Sequence, residues 1–199
     1  PDTDPLIHIP LGLGKMHDKR AHDWGYDAEP EESMQGRRIE AMRGKVVGGS
    51  SSINVMAYVR GHRGDYDRWA ANGATGWSYA DVLPYFRRME SWEKGADVWR
   101  GGDGPLQTQS ARSLDPLWEA WIEAGKSSGI GFTEDYNGEK QEGLGRSQAT
   151  IYKGRRHSTA TAFLRPAIRR GNVTLSDSTL VAQVVGGGGT GGRGGRPNE

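Results

Sequence analysis

Apolar positions that recur every three to four residues, set between clear start and stop signals, predict helices in the middle and later parts of the chain. The clearest runs from Asp115 to about Ser128. Asp115 serves as N-cap, Pro116 occupies the first helical position and Gly129 is the stop. Leu117, Trp121 and Ala124 line one side, with Trp118 and Ile122 beside them. Ser78 and Asp81 make a capping-box-like start for a helix whose apolar side is Val82, Phe86 and Met89. Pro84 inside it lacks a backbone donor and predicts a break or restart. Thr159 to Arg170 reads as a helix interrupted at Pro166 and closed by Gly171, and Asp65 to Ala71 suits a helical turn. Ile53 to Val59, small and apolar, predicts a short buried helix. Val173-Thr174-Leu175 and Leu180 to Val185 predict two strands. Residues 1–42, punctuated by Pro5, Pro10 and Pro30, predict irregular chain. Helices and strands mixed with long connections give an α/β or α+β class.

Composition changes this picture in one respect. Leu, Ile, Val and Phe supply about 16% of the 199 residues, below the roughly 20% of a well-supplied core, while glycine reaches 31 residues. The expectation is a folded, core-poor, loop-rich chain. Lys+Arg at 26 against Asp+Glu at 25 gives no global electrostatic reason to bind nucleic acid. No stretch approaches the ~20 apolar residues of a membrane-spanning helix. With no cysteine, disulfides, thiol nucleophiles and Cys-type zinc sites are excluded. Gly186 to Glu199 is glycine-rich without an apolar side chain and predicts a disordered tail, distinct from a domain over residues 1–185. Its Arg193 and Arg196 among glycines resemble a very short RNA-binding segment, with a plain linker as the stronger reading. The start at Pro1 suggests a piece of a longer protein.

Several apparent motifs dissolve under their chemistry. Ala120 to Ser127 ends in Gly125-Lys126-Ser127 like a phosphate loop, but helix formers fill it and alanine replaces its first glycine. His17, Asp18, His22 and Asp23 lack the spacing of a metal motif and read as a solvated loop. No Gly-x-Ser-x-Gly elbow marks a serine hydrolase. The run Arg43-Gly44-Lys45-Val46-Val47-Gly48-Gly49-Ser50-Ser51-Ser52-Ile53-Asn54 differs from these. Two glycines let the backbone approach a ligand, and three serines supply hydroxyls and cap a following helix. Successive amides there favour a phosphate or an electron-rich ring edge. A tight structural turn competes equally with a ligand-approaching loop.

That run, with Tyr58-Val59-Arg60-Gly61 and Asp65-Tyr66-Asp67 after it, resembles the first signature of the glucose–methanol–choline oxidoreductases. Asp23-Trp24-Gly25-Tyr26 upstream agrees, as do Gly76-Trp77-Ser78-Tyr79, Leu83-Pro84-Tyr85-Phe86, Arg156-His157-Ser158-Thr159-Ala160, Phe163-Leu164-Arg165-Pro166 and Asn172-Val173-Thr174-Leu175 downstream. The resemblance covers about residues 1–185 and is nearest to the choline-dehydrogenase-like and other alcohol dehydrogenases. It implies part of a Rossmann-like FAD-binding domain, in which flavin takes a hydride from an alcohol carbon while a histidine removes the hydroxyl proton. By the same resemblance, Val47, Gly48, Gly49, Ser50, Ser51, Asn54, Val55, Met56 and Ala57 face the flavin and its ribityl–diphosphate chain. Val181 meets the adenine end through its backbone. Some members bond FAD covalently through a histidine just before the asparagine; Ile53 stands there, so FAD is expected to be noncovalent.

The family's diphosphate-binding Gly-x-Gly-x-x-Gly turn between strand and helix is missing, as are its catalytic histidine and most of the substrate domain. The 199-residue chain is therefore expected neither to bind FAD tightly nor to oxidise an alcohol. A non-catalytic binding module is the alternative. Of the five histidines, His157 in Arg155-Arg156-His157-Ser158 is the most tempting but reads as a helix-start polar residue. Arg60 and Arg63 read as surface charges.

Overall fold

The computed structural model describes residues 1–112 and 115–183. The N-terminal segment is more ordered than its prolines predict. Helix α1 (Pro5–His8) is capped by Asp4, whose carboxylate accepts from the Leu6 amide at 2.9 Å. It packs on α2 (Gly12–Asp18), and the pair buries Ile7 and Met16. Residues 22–45 then fold back as an irregular antiparallel hairpin bridged at Asp23–Gly44, Asp27–Glu40 and Glu31–Arg37. The polar groups of this region serve the turn-and-hairpin scaffold: His22 Nε2 lies 2.8 Å from Asp4, and Asp23 accepts from the Arg43 amide at 2.7 Å.

Helices α3 (Arg63–Ala71) and α4 (Tyr79–Met89) form where the capping signals predict them. His62 caps α3, and Ser78 with Asp81 closes a reciprocal capping box on α4. Tyr66 packs against Trp69, Tyr79 and Phe86 at centroid distances of 5.3, 6.0 and 5.8 Å and locks the pair. The break expected at Pro84 does not occur. Pro84 and Ala80 are both exposed, so the carbonyl that loses its partner is open to water, and aromatic packing carries the helix through.

A small mixed sheet lies behind these helices. Strands β1 (Glu90–Trp92) and β2 (Leu106–Ser110) run parallel, and β3 (Gln148–Ala149) pairs antiparallel to β2. On the free edge of β3, Ala57 bridges Ala149, with the Tyr58 amide donating to the Gln148 carbonyl at 2.8 Å. A hairpin of β4 (Ile151–Tyr152) and β5 (Arg155–Arg156) follows, turned by Lys153 and Gly154, both at positive φ.

Helix α5 (Pro116–Ser127) has the expected Asp115 cap, and Gly129 beyond it is left-handed. The side it buries is not the expected one. Ile122 and Gly125 face inward, with Leu144 seated on Gly125, while Leu117 and Trp121 are exposed. The phosphate-loop-like run lies within this helix. Nor does Pro166 interrupt the last helix: a widened π turn over Ala160–Leu164 leads into α6 (Arg165–Arg169). In that turn the Arg165 amide reaches back to the Ala160 carbonyl, and the register absorbs the donor that Pro166 lacks.

The strand expected at Val173-Thr174-Leu175 does not form, and Leu180 to Gln183 carries no regular structure. β-branched sequence makes a strand only where a neighbouring edge accepts its backbone, and none among the described residues does. Val184, Val185 and the Gly186–Glu199 tail lie outside the described residues. No described helix is long and apolar enough to cross a membrane.

The interior matches the poor apolar composition. Tyr58, Leu106 and Ala162, with Met89 against them, form a small apolar cluster. Beside it lies a buried polar network: Glu90 accepts from Arg60 Nη2 at 2.6 Å, from Arg100 Nε at 3.0 Å and from Thr108 at 2.7 Å. Arg100 also reaches Asp135 at 2.7 Å and Gln148 at 3.0 Å, and its guanidinium lies 4.0 Å from the Trp92 ring centre. Asn137 ties this network to the Tyr58 carbonyl at 3.0 Å and to the Arg60 amide at 2.7 Å. Arg60 is thus no surface charge. It anchors the strand-like segment that ends the candidate site, while Arg63, half-buried, stacks over Trp99 and Tyr79.

Candidate cofactor site

The site begins with a close approach of backbone to backbone. A side chain on Gly44 would place its Cβ 2.3 Å from the Gly49 carbonyl oxygen, so only glycine lets residues 44 and 49 meet. Gly48 and Gly49 follow at φ +92° and +56°, bending the chain through left-handed conformations. The three serines turn into the loop rather than towards a ligand. Ser50 Oγ accepts from the Gly44 amide at 3.1 Å, and Ser51 Oγ donates to the Gly48 carbonyl at 2.6 Å. Buried Ser52 donates to the Val47 carbonyl at 2.9 Å. Ser51 also accepts from the Thr159 amide at 3.0 Å, joining the loop to the π turn.

No helix follows. After one 3-10 turn over Gly49–Ser52, Asn54 Oδ1 accepts from the Met56 amide at 3.0 Å, and Met56 sits at φ +63°. A left-handed methionine costs about 1–2 kcal/mol, and the Thr150 amide bonding the Met56 carbonyl at 2.9 Å holds it there. From this point the chain is extended and alternates strictly. Met56, Tyr58 and Arg60 are buried, whereas Val55, Ala57 and Val59 face outward, the two valines each 67% exposed. That alternation replaces the expected buried helix over Ile53 to Val59.

The result is an open face on the outer side of the loop. A Cβ on Gly49 would meet no atom within 4 Å. Among the described residues no hydrogen bond uses the amides of Val47, Gly48, Val55 or Ala57, so four donors remain available along one short stretch. Next to it, Ala57 and Val59 form one wall of a cavity of about 660 Å³ whose other sides include Trp118, Trp121, Tyr136 and Leu144. That volume is typical of small-molecule sites.

The sequence-predicted residues Val47 to Ser51 and Asn54 to Ala57 are thus contiguous on one loop, although the Met56 side chain points into the core. Val181 is 70% exposed in a segment without strand pairing. Two features were missed by reading the sequence: the Trp118/Trp121 cavity beside Val59, and Arg156, whose guanidinium lies under the loop. The sequence signal for Arg156 is its place at the head of the Arg156-His157-Ser158-Thr159-Ala160 stretch that carries the family resemblance. His157 itself is structural: its Nδ1 accepts from the Gln107 amide on β2 at 3.1 Å.

Burial lowers the His157 pKa below its ordinary value, so the folded chain favours the neutral, accepting ring. The stability this contributes is complete above the unfolded pKa of ~6.5. It is lost as pH falls through the lower folded value. Thermal melts of the wild-type chain between pH 7 and 5 are expected to fall more steeply than those of His157→Gln; parallel curves would contradict this role.

Comparison with known proteins identifies the family. The family model described as GMC oxidoreductase matches residues 26–196. The oxygen-dependent choline dehydrogenase of Brucella anthropi is 53% identical over 175 residues, covering 88% of this chain and 32% of the relative. That of Sinorhizobium medicae is 54% identical over 174 residues, with 87% and 32% covered. Among solved structures, pyridoxine 4-oxidase from Mesorbium loti superposes with a TM-score of 0.79 at 35% identity, covering 86% of this chain and 34% of its own. A formate oxidase variant from Aspergillus oryzae RIB40, studied for FAD modification, gives 0.69 at 28% identity, with 80% and 30% covered. The chain spans about a third of the length of these relatives. A family match running through the whole glycine–serine loop, on a mixed α/β scaffold shared with those oxidases, makes this chain a member of the GMC (glucose–methanol–choline) oxidoreductase family and part of its FAD-binding domain.

Proposed function

We propose that the chain is the flavin-facing segment of an FAD-dependent oxidoreductase that oxidises the CH–OH group of an alcohol, choline or another primary alcohol. The observation that carries this reading is the open loop: left-handed Gly48 and Gly49, with the amides of Val47, Gly48, Val55 and Ala57 uncommitted beside exposed Val55 and Ala57. These residues, with the backbone of Ser50, Ser51 and Asn54, would hold the isoalloxazine and the start of its ribityl–diphosphate chain. Val181 would offer its backbone to the adenine end. Bound there, FAD supplies the two-electron acceptor.

The chain's own residues position this group but provide no general base. His8 bonds the Asp2 carbonyl, His17 meets Met42, His22 pairs with Asp4, His62 caps α3 and His157 accepts from Gln107. The sequence also lacks a strand–glycine turn–helix unit for the diphosphate. The 199-residue chain alone is therefore expected to bind FAD weakly and to oxidise nothing. Equilibrium dialysis should show saturable FAD binding with Kd near or below about 1 mM, roughly −4 kcal/mol, and no alcohol-dependent dye reduction. Flavin retained through desalting, dye reduction, or the absence of saturable binding would each contradict the proposal.

Attachment is proposed to be noncovalent. Ile53, buried at the end of the 3-10 turn, has an alkyl side chain with no atom able to bond the flavin. Acid precipitation of the FAD-loaded chain should leave all yellow colour in the supernatant; colour in the pellet would refute it.

A further inference from the structure

Buried charges in this fold come with partners, except one. Among the described residues, the buried charged side chains are Asp2, Arg60, Glu90, Arg100 and Arg156. Asp2 pairs with Arg165, Arg60 and Arg100 pair with Glu90, and Arg100 also pairs with Asp135. Arg156, 3% exposed, forms no ion pair among the described residues, and its Nη2 has no acceptor at all. Its other donors reach only neutral oxygens. Nη1 donates to the Asn54 carbonyl at 2.7 Å, to Asn54 Oδ1 at 2.8 Å and to the Ser51 carbonyl at 3.2 Å. Nε donates to the Ile7 carbonyl of α1 at 2.8 Å.

An unneutralised buried cation is expensive, and burial alone pulls this guanidinium down to about 10. Its placement gives the expense a purpose. The β4–β5 hairpin delivers Arg156 to the inner side of the loop whose outer side carries exposed Asn54, Val55 and Ala57. The Nη1 bonds fix the Asn54 side chain, which in turn fixes the Met56 amide and so the direction of the chain through Ala57. The positive charge stays uncompensated behind that face. A preset charge, itself buried away from water, favours whichever ligand state is more negative.

We infer that Arg156 is a positioning residue of the cofactor loop, and that its charge makes the loop bind the two-electron-reduced, anionic form of the flavin more tightly than the oxidised form. This rests on the flavin reading above, and the two claims fail differently.

Equilibrium dialysis of the chain against oxidised FAD and, anaerobically, against dithionite-reduced FAD gives the two dissociation constants. The wild-type chain should bind the reduced form at least about tenfold more tightly. Arg156→Lys, which keeps the charge, should retain most of that preference; Arg156→Gln should bring the two constants within about threefold of each other. Asn54→Ala, which keeps the charge but loses the anchor, should weaken both forms alike and leave the ratio intact. An unchanged ratio in Arg156→Gln, or equal constants in the wild-type chain, would overturn the inference and leave Arg156 a purely structural clamp. If melting curves show that Arg156→Gln does not fold, the wild-type, Arg156→Lys and Asn54→Ala ratios decide the matter on the same terms. A wild-type chain that binds neither form would defeat the flavin reading itself, and this inference with it.

Discussion

Glu90→Ala is expected to lower the stability of the chain by about 3–5 kcal/mol, the usual cost of removing one partner from a buried ion pair. Glu90 is fully buried and is the shared acceptor for Arg60, Arg100 and Thr108. Its removal leaves Arg60 without a carboxylate and Arg100 with Asp135 alone. Those arginines hold together β1, the Tyr58–Arg60 segment and the Asn137–Gln148 wall, so loss of the acceptor loosens the support of the cofactor loop as well. At ~2–4 °C per kcal/mol for a chain of this size, the melting temperature should fall by roughly 10 °C. With total stabilities of about 5–15 kcal/mol, that loss is a large share of what keeps the chain folded. Urea unfolding followed by tryptophan fluorescence measures this, and a loss under about 1 kcal/mol would show that the network is not what holds the sheet.

Gly44→Ala is the second large effect. Its Cβ would lie 2.3 Å from the Gly49 oxygen, 2.4 Å from the Gly49 carbonyl carbon and 2.8 Å from the Ser50 nitrogen. All three are backbone atoms, so no rotamer relieves the clash; the loop itself must move. The expected cost is about 1–3 kcal/mol of stability, with FAD affinity reduced at least tenfold as Gly48 and Gly49 leave their positions. Gly49→Ala separates the two effects. Its methyl enters open space at φ +56°, costing only about 1–2 kcal/mol of backbone strain while standing on the face where the ring is proposed to lie. It should therefore impair FAD binding more than folding. Denaturant midpoints and dialysis on the same preparations check both, and a Gly44→Ala chain with unchanged midpoint and affinity would contradict the loop geometry.

Helices with chemical punctuation were readable in the sequence. Asp115, Pro116 and Gly129 bracket α5, and Ser78 with Asp81 starts α4, because caps satisfy orphan backbone groups wherever the helix packs. Partners distant in the chain were not. Nothing local to Arg60 points to Glu90, and nothing local to Arg156 points to Ser51 and Asn54. Arg60 reads as a surface charge until the fold brings its acceptor to it, and Arg156 has no assigned role until its acceptors are in place. The segment Val55 to Arg60 hid its alternation for a different reason. Val, Met, Ala, Tyr and Val are all apolar, so a period of two leaves no polarity contrast, and the left-handed Met56 that ends any helix has no glycine to announce it. The buried side of α5 was misread because its small inward residue, Gly125, contributes no hydrophobicity of its own; Leu144 fills the space. The residues of the Val47 to Ala57 loop stand out in the sequence, but what its side chains do there does not. Its serines serve the turn, and the amides of Val47, Gly48, Val55 and Ala57 are left without partners among the described residues.

Backbone amide resonances of the isotope-labelled chain, titrated with FAD at concentrations up to about 1 mM, report directly where the flavin lies. Shifts concentrated at Val47 to Ser51 and Asn54 to Ala57, led by the uncommitted amides of Gly48, Val55 and Ala57, are the predicted result. Shifts centred instead on Trp118 and Trp121 of α5, with the glycine–serine loop silent, would contradict it.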